Sequence, residues 1–308
     1  MCVAQRDGLV SHSETVSVHV EGVHIDVVDL EQGAACLLKN LEGDVEYVRP
    51  IDFDSAEIPG DKGYKGKIVY RGETCVLIAT RVPPGARGPQ NHVHPMDQLY
   101  FVTDGEVTIK LGKDVHKAAA DSAIFIPAGV PHHNWNEGSE TEVHLEVLAP
   151  ASVGIQPILE FTESDDALGL PYAVVTPAAD RMLSLDGGMT VTPLVGGDGV
   201  SDNALIYIGG LPVGAAGPSL HTHDFDQFYL VLDGLLGVQV GLKEYTVGPR
   251  HLVVLPAGVP HRQWNAGEEV ERHLTIIARP PDHRPSEEEP WDISVELHAA
   301  AHTTQVTL

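Results

Sequence analysis

Gly88-Pro-Gln-Asn-His92-Val-His94-Pro-Met-Asp-Gln98 recurs 129 residues later as Gly217-Pro-Ser-Leu-His221-Thr-His223-Asp-Phe-Asp-Gln227. Each copy is followed by a second matched stretch, Pro127-Ala-Gly129-Val-Pro-His132-His-Asn-Trp-Asn136 and Pro256-Ala-Gly258-Val-Pro-His261-Arg-Gln-Trp-Asn265. Pro83/Pro212, Gly85/Gly214, Tyr100/Tyr229, Asp104/Asp233 and His144/His273 keep the same offset, with no insertion between the copies. A repeat this regular is read before anything else. The chain carries one structural unit twice.

The spacing suits a metal site. Successive strand side chains alternate faces, so His92 and His94 share one, and Gln98 joins them if the strand continues. His132 arrives from elsewhere, after a Pro-x-Gly turn that ends one strand and starts the next. The expected ligand sets are His92, His94, Gln98 and His132 in one copy and His221, His223, Gln227 and His261 in the other, each holding a divalent first-row ion with positions left open. A single His-x-His pair is commonly a polar strand edge. Core packing would keep glycines and apolar residues in register, but it has no need to keep three histidines and a glutamine twice.

These residues resemble the cupin superfamily, whose first motif is a Gly, a His-x-His pair, an acidic residue and a Gly, and whose second is Pro-x-Gly-x-x-His-x-x-x-Asn. Both occur twice, covering about residues 66–150 and 190–280. The resemblance implies an all-β chain of two tandem cupin barrels (double-stranded β-helix, or jelly roll). It says little about the reaction, because members include dioxygenases, decarboxylases, isomerases, epimerases and binding or storage proteins. Many cupins carry Glu where this chain has Gln98 and Gln227, and a glutamine offers a neutral carbonyl oxygen that cannot act as a base near neutral pH. A neutral ligand set leaves the ion its full charge, which favours an anionic chelating substrate such as an enolate, phenolate, β-dicarbonyl or α-keto acid. The quartets resemble both bicupin dioxygenases and the bicupin isomerase of the bacilysin pathway. The expectation is a metal-dependent oxidoreductase, a non-haem iron(II) dioxygenase acting on a small phenolic or enolisable acid. Its rivals are an oxygen-independent isomerase or lyase of a keto acid and a non-catalytic binding cupin. Iron(II) at two sites is the first expectation, with manganese, nickel, cobalt or zinc as alternatives.

Composition fits a protein of small molecules. The chain has 308 residues, 43% hydrophobic and 20% charged, enough for two cores. With 44 acidic against 19 basic residues the formal charge is −25, which repels nucleic acid and anionic membranes. The same field opposes an anionic substrate, so Arg81, Arg87 and Arg262 near the motifs are candidate contacts, with surface solvation as the plainer explanation. Cys2, Cys36 and Cys75 form no CxxC and no even disulfide framework. Residues 1–15 lack a secretory signal's basic start and apolar run, and no stretch approaches a membrane span. A cytoplasmic protein without membrane or nucleic-acid partners is expected, and the resemblance allows a homodimer.

Short apolar segments between plentiful turn residues, 31 Gly and 22 Pro, read as strands. The expected organisation is an extension with extra strands over 1–65, cupin domains at 66–150 and 186–280, a connector at 151–185 and a tail at 281–308. Leu99–Val102 and Phe228–Leu232 are continuous apolar runs suited to strands covered on both faces. Proton transfer must come from outside the quartets, and His144 and His273 are the candidates, with Tyr100 and Tyr229 two residues beyond each Gln. Alternation puts Glu142, His144 and Glu146 on one strand face. Asp97 and Asp226 alternate away from the Gln and are expected to orient a neighbour. The halves differ at Met96/Phe225, Arg87/Ala216, His133/Arg262 and Asn134/Gln263, yet both quartets are complete, so no half is singled out as catalytic.

Overall fold

A computed structural model describes residues 15–20, 23–28, 47–52, 58–59, 61–72, 74–151, 159–177, 179–185, 188–195, 201, 203–279, 293–298 and 304–307. The described residues are almost entirely β, with one turn of 3-10 helix at Ala179–Arg181. None of their helices is long and apolar enough to cross a membrane. The expected strands Ile124–Ile126 and Leu252–Leu255 fall within Ala123–Ile126 and His251–Leu255, and each runs into its Pro-Ala-Gly turn. Gly129 and Gly258 take φ of +86° and +79°, a left-handed conformation that a side chain would strain. Cys75 is buried and free; Cys2 and Cys36 lie outside the described residues.

Four sheets make two barrels. The first pairs a five-stranded sheet, containing His92–Val93 and His132–Trp135, with a seven-stranded sheet containing Val76–Val82, Asp97–Asp104 and Glu142–Ala149. The second repeats this with an eight-stranded and a seven-stranded sheet. The halves exchange strands. Val48–Pro50 pairs with His251–Leu255 of the second barrel, whereas Ala173–Val175 pairs with Ala123–Ile126 of the first. Glu160–Phe161 adds to the edge of His92–Val93, and Ile293–His298 adds to the matching edge of His221–Thr222. Thr15–Val20 and Val23–Val28 are paired strands, and the latter joins Ile293–His298. Pro280–Pro290 and Trp291 lie outside the described residues.

The continuous apolar runs are covered on both faces, as their composition requires. Leu99 and Phe101 pack with Leu145, Val147, Phe228, Leu230, Leu274 and Ile276 in one core shared by the two barrels. Tyr100 and Val102 turn into the first barrel with Ile109, Leu111 and Ile124. Tyr229 and Val231 turn into the second with Leu236, Val238 and Leu255. Each fully buried side chain of this size contributes about 1.5–3 kcal/mol, so the barrels are held back to back. The same alternation sends Glu142, His144 and Glu146 into the first barrel's interior, where all three are buried.

Aspartates reinforce the junction in a reciprocal way. Asp97 accepts from Ser201 (3.2 Å) and Asn203 (2.8 Å) of the second half. Asp226 accepts from Thr74 (2.6 Å) and Tyr70 (3.3 Å) of the first. Each also accepts the backbone N–H of its own Pro-Ala-Gly turn, from Ala128 at 3.0 Å and Ala257 at 3.1 Å. Those turns close further on the His-x-His loops, with Gly129 N–H donating to the His94 carbonyl and Gly258 N–H to that of His223.

Candidate metal centre

The strand through His92 does not continue to Gln98. It ends at Val93, and a new strand in the other sheet begins at Asp97. The second copy breaks in the same way, from Thr222 to Asp226 with Asp224 at the position of Pro95, so the turn belongs to the corner between the sheets and not to the proline. The ligands therefore converge at a corner between two sheets. His92 stands opposite His132 in the small sheet, His94 lies in the turn, and Gln98 comes from the large sheet.

Two groups result, His92/His94/His132 and His221/His223/His261, all buried, with ligand atoms within 4.8 Å of one another in each. Nδ1 of His92, His132, His221 and His223 lies 2.8 Å, and that of His261 2.9 Å, from the carbonyls of Gln90, Val130, Ser219, Phe225 and Val259 respectively. A carbonyl only accepts, so each of these Nδ1 atoms carries a proton, and a neutral ring then presents its lone pair at Nε2. Burial first, then neighbouring imidazoles, pushes His92 down to about 4 and His132 and His261 well below the usual histidine range. The rings are neutral, yet Nε2 of His92 and His94 are 3.2 Å apart, and Nε2 of His132 and His261 are buried without a partner. Lone pairs facing one another in a buried corner fit a cation between them, and 3.2 Å is a spacing that two nitrogens about 2.1 Å from one ion adopt.

The fourth position differs between the copies. In the first, the Gln98 amide nitrogen donates to Glu146 at 2.7 Å, and its oxygen is buried without a partner. Glu146 also accepts from the Thr80 hydroxyl and lies 3.3 Å from Nε2 of His144, whose Nδ1 is 2.7 Å from Glu142. Burial alone would lower the His144 pKa, but the charge and hydrogen bond of Glu142, then those of Glu146, hold it at about 10. Burial raises Glu146, but His144 and the Thr80 hydroxyl outweigh it and bring the carboxyl below its usual value. Glu142 is pushed up, chiefly by burial. The first barrel thus encloses an imidazolium between two acidic groups. In the second, Gln227 Oε1 lies 2.8 Å from Nε2 of His223, and His273 pairs with Glu271 at 2.9 Å. At the positions of Glu146 and Thr80 stand Thr275 and Gly209.

Residues 79–148 and 208–277 each match the cupin domain family. The chain is a bicupin. Among solved structures, a putative glyoxylate-induced protein from Pseudomonas aeruginosa is similar over 93% of the bicupin and 99% of that chain, with a TM-score of 0.62 and 15% identity. A Bacillus subtilis oxalate decarboxylase variant is similar over 79% of both chains, with a TM-score of 0.58 and 14% identity. AerE from Microcystis aeruginosa is similar over 76% of the bicupin and 97% of its own length, with a TM-score of 0.56 and 15% identity. At such identities these likenesses establish the fold. An uncharacterised protein of Streptomyces coelicolor is 38% identical over 39 residues, a match that spans 13% of the bicupin and 37% of that relative.

The six histidines expected from the bicupin's sequence are brought together as two triads, with Gln227 Oε1 2.8 Å from His223 and the Gln98 amide held by Glu146. His144 sits behind the first, buried and stacked on Tyr100 with ring centroids 4.4 Å apart. His273 and Tyr229 repeat this at 4.7 Å with the rings tilted. Arg262 is exposed beside the Trp264 ring, and Arg87 lies by Trp135. Both belong to the outer face. Asn136 and Asn265 brace their turns, each bonding two carbonyls and one N–H in the same pattern. Glu146, Thr80 and Tyr64 were not among the expected site residues. Tyr64 is buried beside Glu146 and bonds Thr80. The signal for Glu146 was available, since it is the i+2 neighbour of His144 and is lost at the 129-residue offset.

Proposed function

We propose that this bicupin is a metal-dependent enzyme, a non-haem iron(II) dioxygenase of a small phenolic or enolisable acid, with the first barrel as its catalytic half. The observation that carries this reading is the buried convergence of three imidazoles, with the unpartnered Gln98 amide oxygen in the same barrel and, in that barrel alone, a carboxylate bonded to that amide. A bound divalent ion would supply Lewis acidity to a chelating oxygen pair and, as iron(II), a place for dioxygen to react.

His92, His94, His132 and Gln98 bring no negative charge, so they leave the ion's charge available to draw an anionic substrate against the chain's own field. Burial keeps water out and strengthens that attraction. Gln98 connects this shell to Glu146, and Glu146 to His144 and Glu142. A proton released when an enol or phenol ionises has a short relay behind the ligand shell, with the Glu146 carboxylate, one hydrogen bond from the Gln98 amide, as its acceptor and the His144 imidazolium 3.3 Å beyond to balance the charge.

That relay also favours a second reading, an oxygen-independent isomerase or lyase, whose work is proton movement. The two separate cleanly. Protein reconstituted anaerobically with iron(II) is screened against phenolic and diketo acids with labelled dioxygen. Gain of two labelled oxygen atoms supports the dioxygenase. Equal turnover under argon, with unchanged product mass, overturns it in favour of the isomerase. Ligand capture that survives His→Ala changes in both quartets would make the chain a binding cupin.

A further inference from the structure

We propose that Glu146 is a positioning residue that fixes which end of the Gln98 amide faces the ion, and that its absence from the second barrel makes the two metal sites unequal. This rests on the metal part of the reading above and not on the reaction.

A carboxylate can only accept, so the Gln98 atom 2.7 Å from Glu146 is the amide nitrogen. The oxygen must then point the other way, and it is the atom left buried and unpartnered. Glu146 is itself fixed, by the Thr80 hydroxyl on one adjacent strand and by His144 on its own. Thr80, Gln98 and Glu146 lie on three neighbouring strands of one sheet. Three tethers therefore hold a carbonyl oxygen ready before any ion arrives, and binding breaks none of them.

The second barrel keeps the strands and loses the tethers. Gly209 stands opposite His273 where Thr80 stands opposite His144. Thr275 is too short to take the place of Glu146, and its hydroxyl is buried without a partner. No carboxylate receives the Gln227 amide nitrogen there. The Gln227 oxygen lies 2.8 Å from Nε2 of His223, whose Nδ1 proton goes to the Phe225 carbonyl, so two acceptors face one another there with no donor between them. An ion would satisfy both, but among the described residues nothing equivalent to Glu146 keeps the amide from turning its N–H end inward, towards Nε2 of His223.

The test needs no substrate. Ion-free full-length protein is titrated with cobalt(II), followed by its visible spectrum, using His221→Ala to isolate the first site and His92→Ala to isolate the second. The first site should bind cobalt about tenfold or more tightly than the second, and Glu146→Thr in the His221→Ala background should weaken it by about 10- to 100-fold and change its spectrum. Glu146→Gln, whose amide oxygen still accepts from Gln98, should stay within about threefold of the parent. Equal affinities at the two sites would overturn the proposal. So would an unchanged first site in Glu146→Thr, or a Glu146→Gln as weak as Glu146→Thr, which would assign the effect to charge and not to orientation. The comparison of the two isolated sites is read without altering Glu146, so equal affinities overturn the proposal even if Glu146→Thr fails to fold. A negative oxygen experiment leaves this result untouched, while failure of either isolated site to bind cobalt removes the metal reading itself.

Discussion

The two barrels present the same histidines and glutamine on the same strands, yet one amide is held by a carboxylate and its counterpart is not. The cause lies one layer out, where the first barrel has Thr80 and Glu146 and the second has Gly209 and Thr275. Identical ligands do not make identical sites. A ligand's chemistry depends on what holds its far end, and duplication followed by change in the supporting shell can separate a catalytic site from a structural one while both motifs survive.

The largest test of that contrast is removal of one ligand per barrel. His132→Ala and His261→Ala should each lose about one equivalent of metal by mass spectrometry, but His132→Ala should lower kcat/KM by more than about 100-fold and His261→Ala by less than about threefold. Equal losses would mean that both barrels turn over substrate. Chelation comes next. An ion present at about 1,000 times its Kd contributes about 4 kcal/mol, so stripping the wild type should lower Tm by roughly 10 °C. His132→Ala should lose most of that response and His261→Ala little, if the tighter site is the first.

Smaller effects probe how the barrels are joined. Asp97→Asn and Asp226→Asn each remove one of the reciprocal clamps and should cost about 1–3 kcal/mol in urea unfolding. A neutral result for either would show that its crossing hydrogen bonds add no stability. The smallest effect is on pH dependence. The folded pKa of His144 is raised to about 10, so its stabilising share is fully present below about 6.5 and is lost as pH rises from there towards 10. Ion-free wild-type protein should therefore lose a few degrees of Tm, roughly, across that window, and His144→Asn should flatten the slope. An unchanged slope in His144→Asn would remove the imidazolium from the first barrel.

Much of this was legible in the chain because it is local. Turn residues, alternation and a constant 129-residue offset marked the strands and the six histidines that meet, and the i, i+2 rule placed Glu142, His144 and Glu146 on one face. Two things were less so. Read as a continuous strand, His92 to Gln98 was expected to share one face, but the chain passes from one sheet to the other between Val93 and Asp97, as it does between Thr222 and Asp226. Upstream of the motifs the register changes: Gly66 pairs with Thr80 but Val191 with Gly209, so the offset there is 125 and Tyr64 corresponds to Met189. A search at constant offset passes over that pair.

By itself the sequence determined the duplicated all-β fold, the two cation sites and the neutral ligand chemistry, since each follows from residue type and short spacing. Only the tertiary structure decided that each half lends a strand to the other, that Asp97 and Asp226 bind across the junction, and that Thr80, Gln98 and Glu146 meet. Those contacts join residues far apart in the chain. They depend on which strands become neighbours in a sheet, a property of the whole packed barrel that no local pattern encodes.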